Sequence, residues 1–107
     1  MTKYVLLYSG GSMPETEAEQ AAVMAAWGIW YDSLGAGVVD PGYPLSPMAK
    51  RIASNGHVSD VPPSDTMASG YSIIQAGSLN EAVEMAGGCP ILQGGGQISV
   101  YETVEMM

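Results

Sequence analysis

Hydrophobic and polar positions switch between two periods along this chain. Residues 3–9, KYVLLYS, are rich in β-branched and aromatic types and stop at Gly10-Gly11, which predicts a first, largely buried strand. The polar stretch SMPETEAEQ follows. Pro14 suits a first helical turn, and glutamates there complement the helix dipole. Two capping boxes are available, Ser12 with Glu15 and Thr16 with Glu19. Val23, Met24, Trp27, Trp30, Tyr31 and Leu34 then recur at spacings of three and four, predicting a helix with both tryptophans on one face. Gly35 and Gly37 stop it.

Val38-Val39 predicts a short strand, and Pro41, Gly42, Pro44 and Pro47 keep the next residues irregular. Residues 48–53, MAKRIA, fit a short edge strand. The Asn55-Gly56 turn signal makes a hairpin of 49–61. GYSIIQA, 70–76, predicts a strand, and Ser78-Leu79-Asn80-Glu81 is a capping box. The helix it opens runs to about Ala86, with Leu79, Ala82, Val83 and Ala86 on one side, and Gly87-Gly88 ends it. QISVYETV alternates and forms the last strand.

The predicted order is β-α-β-hairpin-β-α-β in one domain spanning residues 1–107. This is an α+β layout of the ferredoxin-like β-α-β-β-α-β type, with both helices on one face of a four-stranded sheet. Tyr4, Leu6 and Tyr8 share one face of the first strand, and Val5 and Leu7 the other. A sheet apolar on both sides needs a cover on the side the helices leave open. A homodimer joined sheet to sheet supplies one.

Composition narrows the partners. The chain of 107 residues carries three basic and eleven acidic residues, a net charge of -8, and nothing after Arg51 is basic. Nucleic acid and anionic membrane surfaces both need cations to bind, so neither is an expected partner. Lys50-Arg51 fits a solvated edge that discourages strand pairing, or, as the minority reading, an anion site. The single cysteine, Cys89, allows no internal disulfide, and ahead of Pro90 it reads as a small buried apolar residue. The apolar run VLLY is too short for a membrane span or signal core, so a soluble, cytoplasmic protein is expected.

The chain resembles the YCII-related proteins, in particular the DGPF-domain branch. The resemblance rests on KYVLLYSGG, MAAWGIWYDSL, GAGVVDPGYPL, GYSIIQAGSLNEAVEMA and CPILQGGGQISVYE, in that order and over nearly the whole chain. It implies a dimeric α+β barrel built from two ferredoxin-like chains. It also implies an aspartate at Asp40, within GVVDPG. Two features depart from the pattern. The DGPF loop is replaced by SDVPPSD, which keeps Asp60 and a proline but not the aromatic. The first helix also lacks the histidine expected there and carries Trp27, Trp30 and Tyr31 instead.

Asp40 is the leading catalytic candidate. A carboxylate against apolar walls suits proton transfer, whereas one before Pro41-Gly42 equally suits a turn bonded to backbone amides. His57, Asp60 and Asp65 are a poor metal set, because a zinc site needs at least three good ligands at firm spacing. They read instead as a loop lining a cleft, and no metal or cofactor is expected. Trp27 and Tyr31 at helical spacing are core residues first and ligand walls second. The glycine clusters lack the Gly-Lys-Ser/Thr of a phosphate loop and the third glycine of a dinucleotide fingerprint. The expected site is thus a small-molecule cleft in each subunit. Asp40 is its catalytic or anchoring group, and Trp27, Tyr31, His57 and Asp60 are substrate-binding candidates. The resemblance implies isomerase- or lyase-like proton transfer on small ring compounds. The missing helix histidine favours a non-catalytic ligand-binding or regulatory protein. A cleft filled by the protein's own side chains is the third alternative.

Overall fold

A computed structural model describes residues 1–11, 15–64 and 66–105 of the chain. Eight elements follow in order. They are β1 (Thr2–Ser9), α1 (Glu17–Leu34), β2 (Val38–Asp40), β3 (Lys50–Ile52), β4 (Val58–Asp60), β5 (Ala68–Ala76), α2 (Leu79–Ala86) and β6 (Gln97–Glu102). The architecture is α+β, with two helices, a four-stranded sheet ordered β2-β5-β1-β6, and a separate two-stranded sheet of β3 and β4. Every strand pair is antiparallel.

Helix α1 starts where Thr16 Oγ1 accepts the Glu19 N–H, the N-cap half of the second predicted box; Ser12 lies outside the described residues. Helix α2 starts on Ser78, whose side chain accepts the Glu81 N–H. Glu81 reaches back to the Gly77 N–H instead of that of Ser78, so the box closes one residue earlier than the usual pattern.

Both helices pack on one face of the large sheet. Tyr4, Leu6 and Tyr8 of β1 meet Ile74 and Ala76 of β5, Trp30 of α1, and Ala82 and Ala86 of α2, with Cys89 closing the core. The Trp30 indole N–H donates to the Met85 carbonyl at 2.9 Å and ties the two helices together.

Two predicted helix faces differ from the observed ones. Val23 and Met24 are exposed, whereas Trp27, Trp30, Tyr31 and Leu34 meet the core. Periodicity sets which way a helix faces, but not how far along its axis the sheet extends. This helix is about 27 Å long, and the core takes only its second half. On α2 the inward residues are Ala82, Met85 and Ala86, while Leu79 and Val83 are half exposed. The Trp30–Met85 bond holds α2 against α1, and the buried residues of α2 are the small alanines Ala82 and Ala86. Lys50 and Arg51 lie on the exposed edge strand β3 of the hairpin that the Asn55-Gly56 turn signal predicts, paired only with β4.

The second face of the sheet is apolar, as the alternation of β1 predicts. Val5 lies between Ile73 and Tyr101, and Leu7 between Tyr71 and Ser99. Val5, Leu7, Tyr71 and Ile73 are half-buried, and Tyr101 is exposed. The molecule is accordingly flat, 44 × 43 × 18 Å. Its radius of gyration is 15.3 Å, where a compact domain of this length has about 13 Å. Its accessible surface is 7551 Å², against ~5,700 Å² for a folded monomer of this mass.

Candidate functional site

The chain after β2 turns back across the end of β5. Asp40 begins the turn: its Oδ1 accepts the Gly42 N–H at 2.8 Å. Gly42 has φ +74, and a Cβ there would sit 1.8 Å from the Tyr71 carbonyl oxygen, so no other residue fits. The turn-forming role of Asp40 is therefore real. Its second oxygen, Oδ2, has no protein partner among the described residues.

This turn delivers the Pro41 carbonyl into a cluster of hydroxyls. Ser72 Oγ donates to it at 2.7 Å, and the Tyr31 hydroxyl donates to it at 3.1 Å. The buried Tyr8 hydroxyl donates to Ser72 Oγ at 2.7 Å, and Tyr31 and Ser72 lie 2.9 Å apart. Three hydroxyl protons thus meet one carbonyl and one serine oxygen, and no buried side-chain polar atom among the described residues lacks a partner. Aromatic rings wall the cluster. Trp27 stands edge-on to Tyr8 at 5.2 Å between ring centroids, and Trp27, Trp30 and Tyr31 touch one another at 5.0–5.8 Å.

Burial controls the chemistry of the two inner ionisable groups. It pushes the Tyr8 phenol well above its ordinary range. It also pushes the Cys89 thiol up to about 11, with smaller opposing help from the Ile91 backbone and from Tyr8. Both groups are neutral at physiological pH. Cys89 is then a weak nucleophile, since the thiolate is the reactive form.

The predicted residues fall into two places. Asp40 and Tyr31 meet at the Pro41 turn, and Trp27 packs behind them on Tyr8, Trp30 and Tyr31. His57 and Asp60 lie on the β3–β4 hairpin, where all six strand residues are exposed. The His57 backbone N–H donates to Asn55 Oδ1, and Asp60 forms an exposed ion pair with Lys50 at 2.6 Å. Asp65 lies outside the described residues. No group of three or more potential metal ligands occurs among the described residues. Two surface hollows, of about 540 and 450 Å³, lie beside the Gly94–Gly96 loop and beside the hairpin, and neither is lined by Asp40, Trp27 or Tyr31.

Cys89 is buried, as its place ahead of Pro90 predicts, and Tyr8 lies on the core face of β1 as the alternation predicts; the hydroxyl of Ser72 is the member of the cluster with no sequence expectation attached. Ser72 carried a signal. It falls in register with Ile74 and Ala76 on the core-facing side of its strand, and a hydroxyl placed there needs a partner. No family model and no curated protein matches the chain.

Proposed function

We propose that the protein works as a homodimer of ferredoxin-like chains, each with a small-molecule site at the Asp40 turn. Asp40 Oδ2 is the proton acceptor of that site, and Tyr31 and Trp27 are its walls. The observation that carries this reading is the split role of the Asp40 carboxylate: one oxygen is fixed by the Gly42 N–H, and the other has no protein partner among the described residues, next to the Pro41 carbonyl that Tyr31 bonds. A carboxylate held in one orientation with a free oxygen is what proton abstraction requires. The resemblance to the YCII-related, DGPF-domain proteins supports the same residue and the same assembly, a dimeric α+β barrel.

Small cyclic ketones and lactones are the substrate class that this chemistry suits, since they carry the proton beside a carbonyl that a single carboxylate base can abstract. Proton NMR in D₂O tests it: a panel of such compounds is incubated with wild type and with Asp40→Asn. Deuterium incorporation by wild type alone is expected. Equal exchange by both proteins removes Asp40 as the base. The side-chain amide of the variant retains an oxygen for the Gly42 N–H, so the turn survives the substitution.

A second reading, a non-catalytic ligand-binding or regulatory protein, has its own support. The hydroxyls of Tyr8, Ser72 and Tyr31 are all occupied within the chain, and the Cys89 thiol is neutral, so nothing around Asp40 forms a nucleophile–base pair. In that case a compound from the panel raises the melting temperature of wild type without exchanging deuterium.

A further inference from the structure

The β3–β4 hairpin is an arm with little of its own chain to rest on. All six of its strand residues are exposed, and its three cross-strand pairs hold only each other. A two-stranded hairpin in water is marginal unless something packs on it. Its tip is nevertheless well built. The Ala53 N–H donates to the His57 carbonyl, the Gly56 N–H donates to the Ala53 carbonyl, and Gly56 supplies a φ of +87.

The arm is also apolar where it faces out. Ile52 and Val58 are cross-strand partners, 72% and 52% exposed. At the arm's base lies an open groove of about 450 Å³ walled by Leu45, Met48, Val61 and Met67, with Arg51 beside them.

Charge sets the arm apart from the rest of the chain. It holds Lys50 and Arg51, two of the three cations, and one of the eleven acids, Asp60. The remaining chain therefore has one cation and ten acids, a net charge of -9. Lys50 is paired with Asp60, whereas Arg51 has no ion pair among the described residues. A partner for this arm must be acidic and must offer apolar surface. The body of the same chain has both properties, in its acidic surface and its uncovered sheet face.

We infer that the β3–β4 arm is a clasp that docks on the body of a second copy of this chain. Its Ile52–Val58 pair packs on the partner's apolar surface, and Arg51 meets the partner's acids. The inference rests on the homodimer reading above and adds to it a second contact, away from the sheet face. The accessible surface leaves room for both: it exceeds the monomer expectation by ~1,900 Å² per chain, and permanent homodimers bury ~2,000–5,000 Å² in total.

Sedimentation equilibrium on five proteins tests it: wild type, the double variant Ile52→Ser/Val58→Ser, Arg51→Gln, the charge-matched control Asn80→Asp, and the sheet-face variant Ile73→Asp. Circular dichroism melts verify that each is folded. The arm side chains contact almost nothing within the chain, so the melts of dilute arm variants match that of dilute wild type. The dimer dissociation constant is expected to rise roughly tenfold or more in each arm variant, about 1.4 kcal/mol, and to stay unchanged in Asn80→Asp. An unchanged constant in both arm variants overturns the clasp; if Ile73→Asp still dissociates, the sheet-to-sheet dimer stands without it. A rise in the arm variants with no effect of Ile73→Asp keeps the clasp and removes the sheet contact. A wild type that stays monomeric up to about 100 µM, a concentration at which even weak dimers form, overturns both.

Discussion

Two hydroxyls donate to the Pro41 carbonyl and a third donates to one of those two, each from a different element, and that geometry fixes what substitutions there do. Tyr8 comes from β1, Ser72 from β5 and Tyr31 from α1. Ser72→Ala removes the acceptor of the buried Tyr8 hydroxyl, a loss of about 1–3 kcal/mol. Adding Tyr8→Phe to it restores part of the loss, because the stranded hydroxyl goes too. Thermal or urea melts of the two single variants and the double measure the coupling, and strictly additive losses contradict the network. The Cys89 thiol gives a pH signature. Its proton is held up to about 11 in the fold, against 9.0 in its ordinary state. The unfolded chain therefore releases this proton first, and stability falls as pH rises through that window. The contribution is fully present below the ordinary thiol value of 9.0 and amounts to at most ~3 kcal/mol. Cys89→Ala is expected to flatten the decline of melting temperature between pH 9 and 11. The window is set by the thiol's two values, so an unchanged slope in the variant assigns the decline to other groups such as Tyr8. Much of this residue-scale detail was hidden in the sequence. Asp40 was legible both as a turn residue and as a candidate, because Asp-Pro-Gly has few uses. The bond between Tyr8 and Ser72 was not, because only the pairing of β1 with β5 brings the two hydroxyls together.

Secondary structure was read with more success, and the failures have physical causes. Each strand and helix was legible from period, cap and glycine punctuation, including the β3–β4 hairpin with its Asn55-Gly56 turn. The positions of helix faces against the sheet were not, since Val23, Met24, Leu79 and Val83 obey the helical period and still lie outside the core. A local period carries no information about where a neighbouring element ends. The crossing from β2 to β5 depends most on one residue. At Gly42 a Cβ would meet the Tyr71 carbonyl at 1.8 Å in a left-handed backbone region. Gly42→Ala is expected to cost ~2 kcal/mol or more, lowering the melting midpoint by at least ~8 °C in a domain of this size. Gly28→Ala on the open side of α1 is the comparison, since nothing lies within 4 Å of an added Cβ there. It is expected to be neutral or stabilising. Equal melts for the two variants would show that the turn moves to admit a methyl group.

The whole molecule is a two-layer slab, helices on one side and apolar strand residues on the other. Val5, Leu7, Tyr71 and Ile73 form the centre of that second side. A layer of sheet ordinarily packs on something on each apolar face. The apolar character of both faces was legible from the alternation of KYVLLYS alone, whereas the size of the uncovered surface needed the fold. The cost of leaving it in water scales at about 25 cal/mol per Å² of apolar area, so the face has a strong drive to be covered. The proposed dimer would cover it with a second copy, a two-fold axis laying one apolar sheet face on the other. The net charge of -8 on each chain opposes such association at long range and is screened at physiological salt. The mass of the wild-type protein in solution, measured by sedimentation equilibrium at physiological salt, tests this most directly. Twice the chain mass of 11.1 kDa is the expected result, shifting to the single-chain mass when Ile73→Asp places a charge at the centre of the open face. A single-chain mass for wild type at every concentration would contradict the covered sheet and the assembly built on it.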